Sequence, residues 1–189
     1  MSEKQKFPYA VANELATRLA LTMAGVCDRL IVAGSIRRLK PEVGDIEFVY
    51  VPKKETRPDS GDMFASNSVD LADEKLFGLI NSGVLAMRKN VKGQTTWGDQ
   101  IKLARHVETG IPIDFFPIPE ASWWNYVVCR TGPKESNVAI CMAAEKRGLQ
   151  WKPYSAGFMD VSTMQIIPVQ SEREVFEKVG LPYYEPKDR

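Results

Sequence analysis

The segment that most restricts this chain is Ile46-Glu47-Phe48-Val49-Tyr50-Val51, with Asp45 just before it. A run this rich in β-branched and aromatic residues reads as a strand. Asp45 and Glu47 stand two apart at its start. Side chains alternate along a strand with a period of two, so both carboxylates point to one face. Like charges held side by side repel and raise each other's pKa, which is costly unless a cation lies between them. Hard oxygen ligands of this kind suit Mg²⁺, which keeps some waters and takes substrate phosphates as its other ligands.

The flanking residues extend the pattern. Leu30–Ala33 is a short apolar run that ends at Gly34-Ser35, a strand feeding a tight turn. Glycine lets backbone N–H groups approach phosphates, and the Ser35 hydroxyl adds a donor. Arg38 supplies a planar, permanently charged fork for phosphate oxygens. A third carboxylate, Asp114, lies in the strand Ile111–Phe116, and its neighbours Ile113 and Phe115 are expected on the opposite face. If this strand lies beside that of Asp45, three carboxylates converge, as required to hold two metal ions roughly 3.5–4 Å apart. Alone, each feature has a plainer meaning: a solvated strand face, a surface arginine pair, a strand-end aspartate. The combination at these spacings carries the inference.

Elsewhere, Val11, Leu15, Leu19 and Met23 recur every four residues and predict a helix over Ala10–Met23 with one apolar stripe. The polar stretch Pro52–Asp70 reads as a long mobile loop that orders on DNA. A helix over Leu71–Asn81 and strands over Val84–Met87, Gln100–Arg105 and Ile113–Phe116 follow. Composition shifts at Pro117-Ile118-Pro119. Helices are predicted over Ala121–Val128 and Glu135–Arg147, the second closed by Gly148. Ser171-Glu172-Arg173-Glu174 is a capping box that opens a last short helix. The sum is an α+β fold: a mixed β-sheet with helices over residues 1–119, then a small α/β unit over 120–189.

The charge balance, 25 basic against 24 acidic residues with a net charge of +1, requires any nucleic-acid contact to use a local basic surface. Such binding weakens steeply with salt. No apolar run reaches the ~20 residues that cross a bilayer, so no membrane partner is expected. Met1–Lys6 is charged and no apolar region follows it, which argues against a secretory signal. Cys27, Cys129 and Cys141 lack paired spacing and read as reduced thiols in a cytoplasmic monomer.

Gly34-Ser35-Ile36-Arg37-Arg38 followed by Gly44-Asp45-Ile46-Glu47 resembles the signature of the DNA polymerase beta-like nucleotidyltransferases, and most of all the family X DNA polymerases. Thr131-Gly132-Pro133, Asn137 and Ala143–Gly148 resemble that family's thumb, and so does the stretch from Val169 to Arg189. The likeness covers nearly the whole chain, as a nucleotidyltransferase palm (1–119) and a thumb (120–189). It implies that Asp45 and Glu47 bind two Mg²⁺ ions, with Mn²⁺ as a substitute. It implies that Asp114 binds the catalytic metal beside the primer 3′-hydroxyl. Gly34, Ser35, Arg38 and Gly44 are then expected to hold the triphosphate of a dNTP. Lys134 is expected near the incoming base and Asn137 on its minor-groove edge. The implied activity is DNA-directed nucleotidyl transfer of the short-gap filling or repair type, on a DNA primer/template, in a bacterial or phage-infected cytoplasm or at the nucleoid.

Departures from the family pattern are informative. Glu47 stands where the polymerases usually carry Asp. Cys129-Arg130 replaces an aromatic pair, and Cys141 replaces a thumb arginine. Pro133 replaces a serine that follows a cis peptide bond, so a cis Gly132–Pro133 bond is expected. With only Met1–Phe7 ahead of the palm, the arrangement resembles minimal viral and phage members, and no lyase activity is expected. Rival readings are an enzyme transferring nucleotides to a small molecule or protein, a template-independent terminal transferase, and a non-catalytic DNA-binding module. His106 is expected to be exposed at a strand end. Trp123, Trp124 and Tyr126 are expected to pack the thumb core. Arg88, Lys89, Lys92, Lys102 and Arg105 are candidate contacts to the DNA backbone.

Overall fold

The structure, a computed structural model, describes residues 5–58 and 66–189. Phe7–Pro8 (β1) leads into the helix Tyr9–Ala24 (α1). The buried stripe of α1 is Ala12, Leu15, Ala16, Leu19 and Met23, whereas Val11 is exposed. A spacing of four residues drifts against a 3.6-residue turn, so over three turns the core face rotates away from Val11. Cys27–Val32 (β2) runs into a short helix, Gly34–Arg37 (α2), where the sequence suggests only a turn. Glu42–Val43 (β3) pairs with β1, and Ile46–Pro52 (β4) is the strand of the two carboxylates.

Pro52–Asp70 is not the single loop its composition suggests. Lys54–Pro58 (β5) and Ser66–Asp70 (β6) pair as an antiparallel ribbon, and residues 59–65 lie outside the described part. These strands are mostly polar and exposed, so hydrophobic patterning gives no sign of them. Then come Leu71–Asn81 (α3), Leu85–Met87 (β7), Lys102–His106 (β8) and Pro112–Pro117 (β9). The main sheet has the order β2-β4-β9-β8-β7, and β4 and β9 run parallel at its centre.

Central parallel strands are covered on both faces. Ile46, Phe48, Tyr50, Ile113 and Phe115 face α1 and α3, and the Phe48 and Phe115 rings stack with centroids 5.3 Å apart. Val49, Val51, Phe116 and Ile118 face the other way. They are covered by Trp123, Tyr126 and Val127 of Trp123–Thr131 (α4). These aromatics are indeed core residues, but the core they fill includes the main sheet of the first unit. The helix that opens the second unit is therefore shared.

The other side of α4 belongs to the C-terminal unit, with Lys134–Glu145 (α5), the three-stranded sheet Leu149–Trp151 (β10), Gly157–Asp160 (β11) and Ile166–Pro168 (β12), and Glu172–Lys178 (α6). Asn125 of α4 is fully buried. Its amide donates to the carbonyls of Lys152 at 3.0 Å, Ser155 at 3.0 Å and Gly157 at 2.9 Å, and accepts from Trp151 Nε1 at 3.2 Å. Half of the capping box forms: the Ser171 hydroxyl accepts from the Glu174 N–H at 3.0 Å, while the Glu174 carboxylate accepts from the Gln170 N–H at 2.7 Å, one residue before the cap. Among the described residues, no helix is long and apolar enough to cross a membrane.

Candidate active site

The β4–β9 register sets Glu47 directly beside Asp114. Neighbours in register share a face, and Asp45 precedes Glu47 by two, so all three carboxylates open on the α4 side of the sheet. They lie beyond Val49 and Phe116, at the end of the strands where the apolar cover stops. The Ala33 N–H donates to the Glu47 carbonyl at 2.8 Å, which anchors the start of α2 to this strand. Gly34 adopts φ 62°. A Cβ there would overlap the Glu47 carboxylate, so any other residue is strained by its conformation and must displace that carboxylate.

Burial is the main cause that lifts the Glu47 pKa to about 7; Asp45 and Asp114 add to the rise, while Arg130 and Arg38 oppose it. Asp114 accepts from Arg88 Nη2 at 2.5 Å. The donor set suits a hard divalent cation, because oxygen ligands of one sign are concentrated on one face beside a buried, reluctantly ionised carboxyl. Yet no three His, Cys, Asp or Glu side chains among the described residues are gathered as a metal site. Register brings the three positions together, while an arginine holds the third carboxylate.

The expected phosphate-binding residues adjoin Glu47. Ser35 is half-buried in the first turn of α2, and Gly44 is buried where the chain enters β4. The Arg38 guanidinium donates to the Thr131 carbonyl, and its Nε is buried without a partner. Burial lowers the Arg38 pKa, and Glu47 and Glu135 counter the fall. Across the Thr131–Pro133 turn, whose Gly132–Pro133 bond is cis, Lys134 is exposed at the start of α5. Asn137 Nδ2 donates to the Cys129 carbonyl at 2.8 Å, and Oδ1 is buried without a partner.

Two cations that the sequence patterns include, Arg130 and Arg37, make contacts those patterns do not reveal. Arg130 lies 3.7 Å over the Phe116 ring and 5.4 Å from that of Tyr154, with a buried, unpaired Nε. In the sequence it stands out as a charge that follows the apolar run Val127-Val128-Cys129, in place of an aromatic pair. Arg37 bonds Thr131 Oγ1 at 2.7 Å and pairs with Glu172, which also pairs with Arg189 at 3.0 Å. The two Arg37 contacts span more than 90 positions of sequence.

Two expectations need correction. His106 does end β8, but it is buried: its Nδ1 lies 3.0 Å from Thr109 Oγ1, and burial lowers its pKa. Lys102 is also buried. It donates to the Gly98 carbonyl at 2.8 Å and pairs with Asp73 at 3.1 Å, so it cannot meet a DNA backbone. Arg105, Lys89 and Lys92 are exposed.

The family model of the DNA polymerase beta thumb matches residues 126–189. The ternary P/T complex of Leishmania infantum polymerase beta superposes with a TM-score of 0.73 and 18% identity, covering 98% of this chain and 77% of that one. This is a polymerase beta-like fold. The ternary gap complex of the same Leishmania polymerase gives a TM-score of 0.74 at 16% identity, covering 98% and 71% of the two chains. No curated protein sequence matches the chain. The segment matched by the thumb model, residues 126–189, contains the Thr131–Pro133 turn, whose Thr131 carbonyl accepts from the Arg38 guanidinium.

Proposed function

We propose that this chain is a nucleotidyltransferase that extends a DNA primer under template direction, in short gaps or repair. One observation carries the reading: Glu47 and Asp114 are register neighbours on parallel strands, with Asp45 on the same face and Gly34-Ser35 alongside. Asp45 and Glu47 would hold both divalent cations, and Asp114 would hold the catalytic ion. Held there, divalent ions would supply Lewis-acid charge for the attacking 3′-hydroxyl and the leaving pyrophosphate. The protein's own share is positioning and electrostatics. Ser35 and the N–H groups of α2 receive phosphate oxygens. The Arg38 fork stands ready beside them. Asp114 orients the primer hydroxyl and can accept its proton. Lys134 and Asn137 meet the incoming base from the thumb.

The deciding experiment offers labelled dNTPs with Mg²⁺ or Mn²⁺ to gapped, recessed and single-stranded DNA. Extension that follows the template base supports the proposal, and Asp45→Ala or Asp114→Ala lowers turnover by at least ~10²-fold. Wild-type turnover in either variant refutes it. Untemplated addition indicates a terminal transferase. Transfer to a small acceptor with no DNA extension indicates the small-molecule alternative, which the longer Glu47 side chain favours.

A further inference from the structure

Arg88 follows β7, and its N–H donates to the Leu103 carbonyl at 2.8 Å, so its backbone is fixed to β8. Leu103 stands opposite Asp114 in the β8–β9 register. The guanidinium therefore reaches past β8 to Asp114 Oδ1, 2.5 Å away. The side chains of Arg88 and Asp114 are only 31% and 18% exposed. Charge pairs partly withdrawn from water are screened less than open surface pairs. Arg88 Nε is buried and makes no hydrogen bond, so part of the fork is left unused by this pairing. A guanidinium and a divalent cation on one carboxylate repel each other. The three acidic positions share a face, yet among the described residues no three His, Cys, Asp or Glu side chains are gathered to hold a metal ion.

We propose that Arg88 is a stand-in cation for the third carboxylate, displaced from Asp114 when divalent ions bind, and that the displaced guanidinium then takes a phosphate of the DNA. The second half has its own support. Arg88 opens a basic run with Lys89 and Lys92, both exposed on a turn that Asn90 braces through the N–H groups of Lys92 at 2.9 Å and Gln94 at 3.1 Å. The freed head group thus begins a local positive strip on a chain of nearly neutral charge. Cation binding and DNA binding become coupled through one side chain. The identity of the competing cation rests on the nucleotidyltransferase reading above.

The test uses the full chain and Mn²⁺ alone, without nucleotide or DNA, read by calorimetry or by the Mn²⁺ electron paramagnetic resonance signal. Arg88→Met binds Mn²⁺ about 5- to 50-fold tighter than wild type, a coupling of ordinary size for two sites that compete. In the Asp114→Asn background the same substitution changes Mn²⁺ affinity little. Arg88→Lys, which keeps the charge but not the fork, falls between. A second measurement titrates gapped duplex against salt. With Ca²⁺ present, Arg88→Met lowers the slope of log affinity against log salt by about one, the loss of one phosphate contact; in EDTA it leaves the slope unchanged. Unchanged or weaker Mn²⁺ binding by folded Arg88→Met, in an enzyme that extends primers, overturns this proposal alone. Failure of wild type, Arg88→Met and Asp114→Asn alike to bind Mn²⁺ overturns the metal reading and this proposal with it.

Discussion

Gly34 and Glu47 compete for one space: a Cβ on residue 34 would overlap the Glu47 carboxylate, and residue 34 also sits at φ 62°. Gly34→Ala is therefore strained in two ways, by conformation and by contact. We expect a loss of ~1–3 kcal/mol in urea unfolding. We also expect a larger fall in kcat than in DNA affinity, because Glu47 is pushed off its place while the DNA surface is untouched. Equal stability of Gly34→Ala and wild type would contradict the geometry.

Glu47 makes metal-free stability depend on pH. Its pKa in the fold, about 7, lies above the ordinary carboxyl value of 4.5. The stability linked to such a group is fully present below the unfolded value and is lost as pH rises through the folded one. In EDTA, Glu47→Gln should match wild type near pH 5 and exceed it at pH 8 by on the order of 2–3 kcal/mol. Thermal melts across that range check the sign. Added Mg²⁺ should stabilise wild type at pH 8 and Glu47→Gln much less.

Glu172 ties palm to thumb. It is buried and pairs with Arg37 of α2 and with Arg189, whose side chain is 2% exposed. Glu172→Ala leaves two arginines without their shared counter-charge, and breaking a buried pair from one side costs roughly 3–5 kcal/mol. Chemical unfolding followed by fluorescence should show this loss, and Glu172→Gln a smaller one. Neutral behaviour of both variants would mean that the two units do not depend on this link.

The three thiols should separate by reactivity. Burial, with Asp70 adding, pushes the Cys27 pKa up to about 12, whereas Cys141 is exposed. The thiolate is the reactive form. At pH 8 a maleimide should modify Cys141 first and Cys27 at least ~100-fold more slowly, with the difference vanishing in denaturant. Mass spectrometry of peptides at timed intervals reads the order directly.

Some of this was legible in the chain itself. The run Ile46–Val51 is β-branched and aromatic, so local preference alone makes it a strand, and the two-residue period alone puts Asp45 and Glu47 on one side of it. The polar ribbon β5–β6 was not legible, because it buries little and leaves no hydrophobic rhythm. The burial of Lys102 was not legible either: its partner Asp73 lies 29 positions earlier, on α3.

The sequence determined which residues could carry the chemistry, since spacing along a strand or turn fixes which side chains share a face. Tertiary structure decided what those residues meet. Only the pairing of β4 with β9 sets Asp114 beside Glu47, and only the alignment of β7, β8 and β9 lets Arg88 reach Asp114. Such contacts join segments far apart in the chain. They are set by strand register and by the packing of α4 against the sheet, which no local preference encodes.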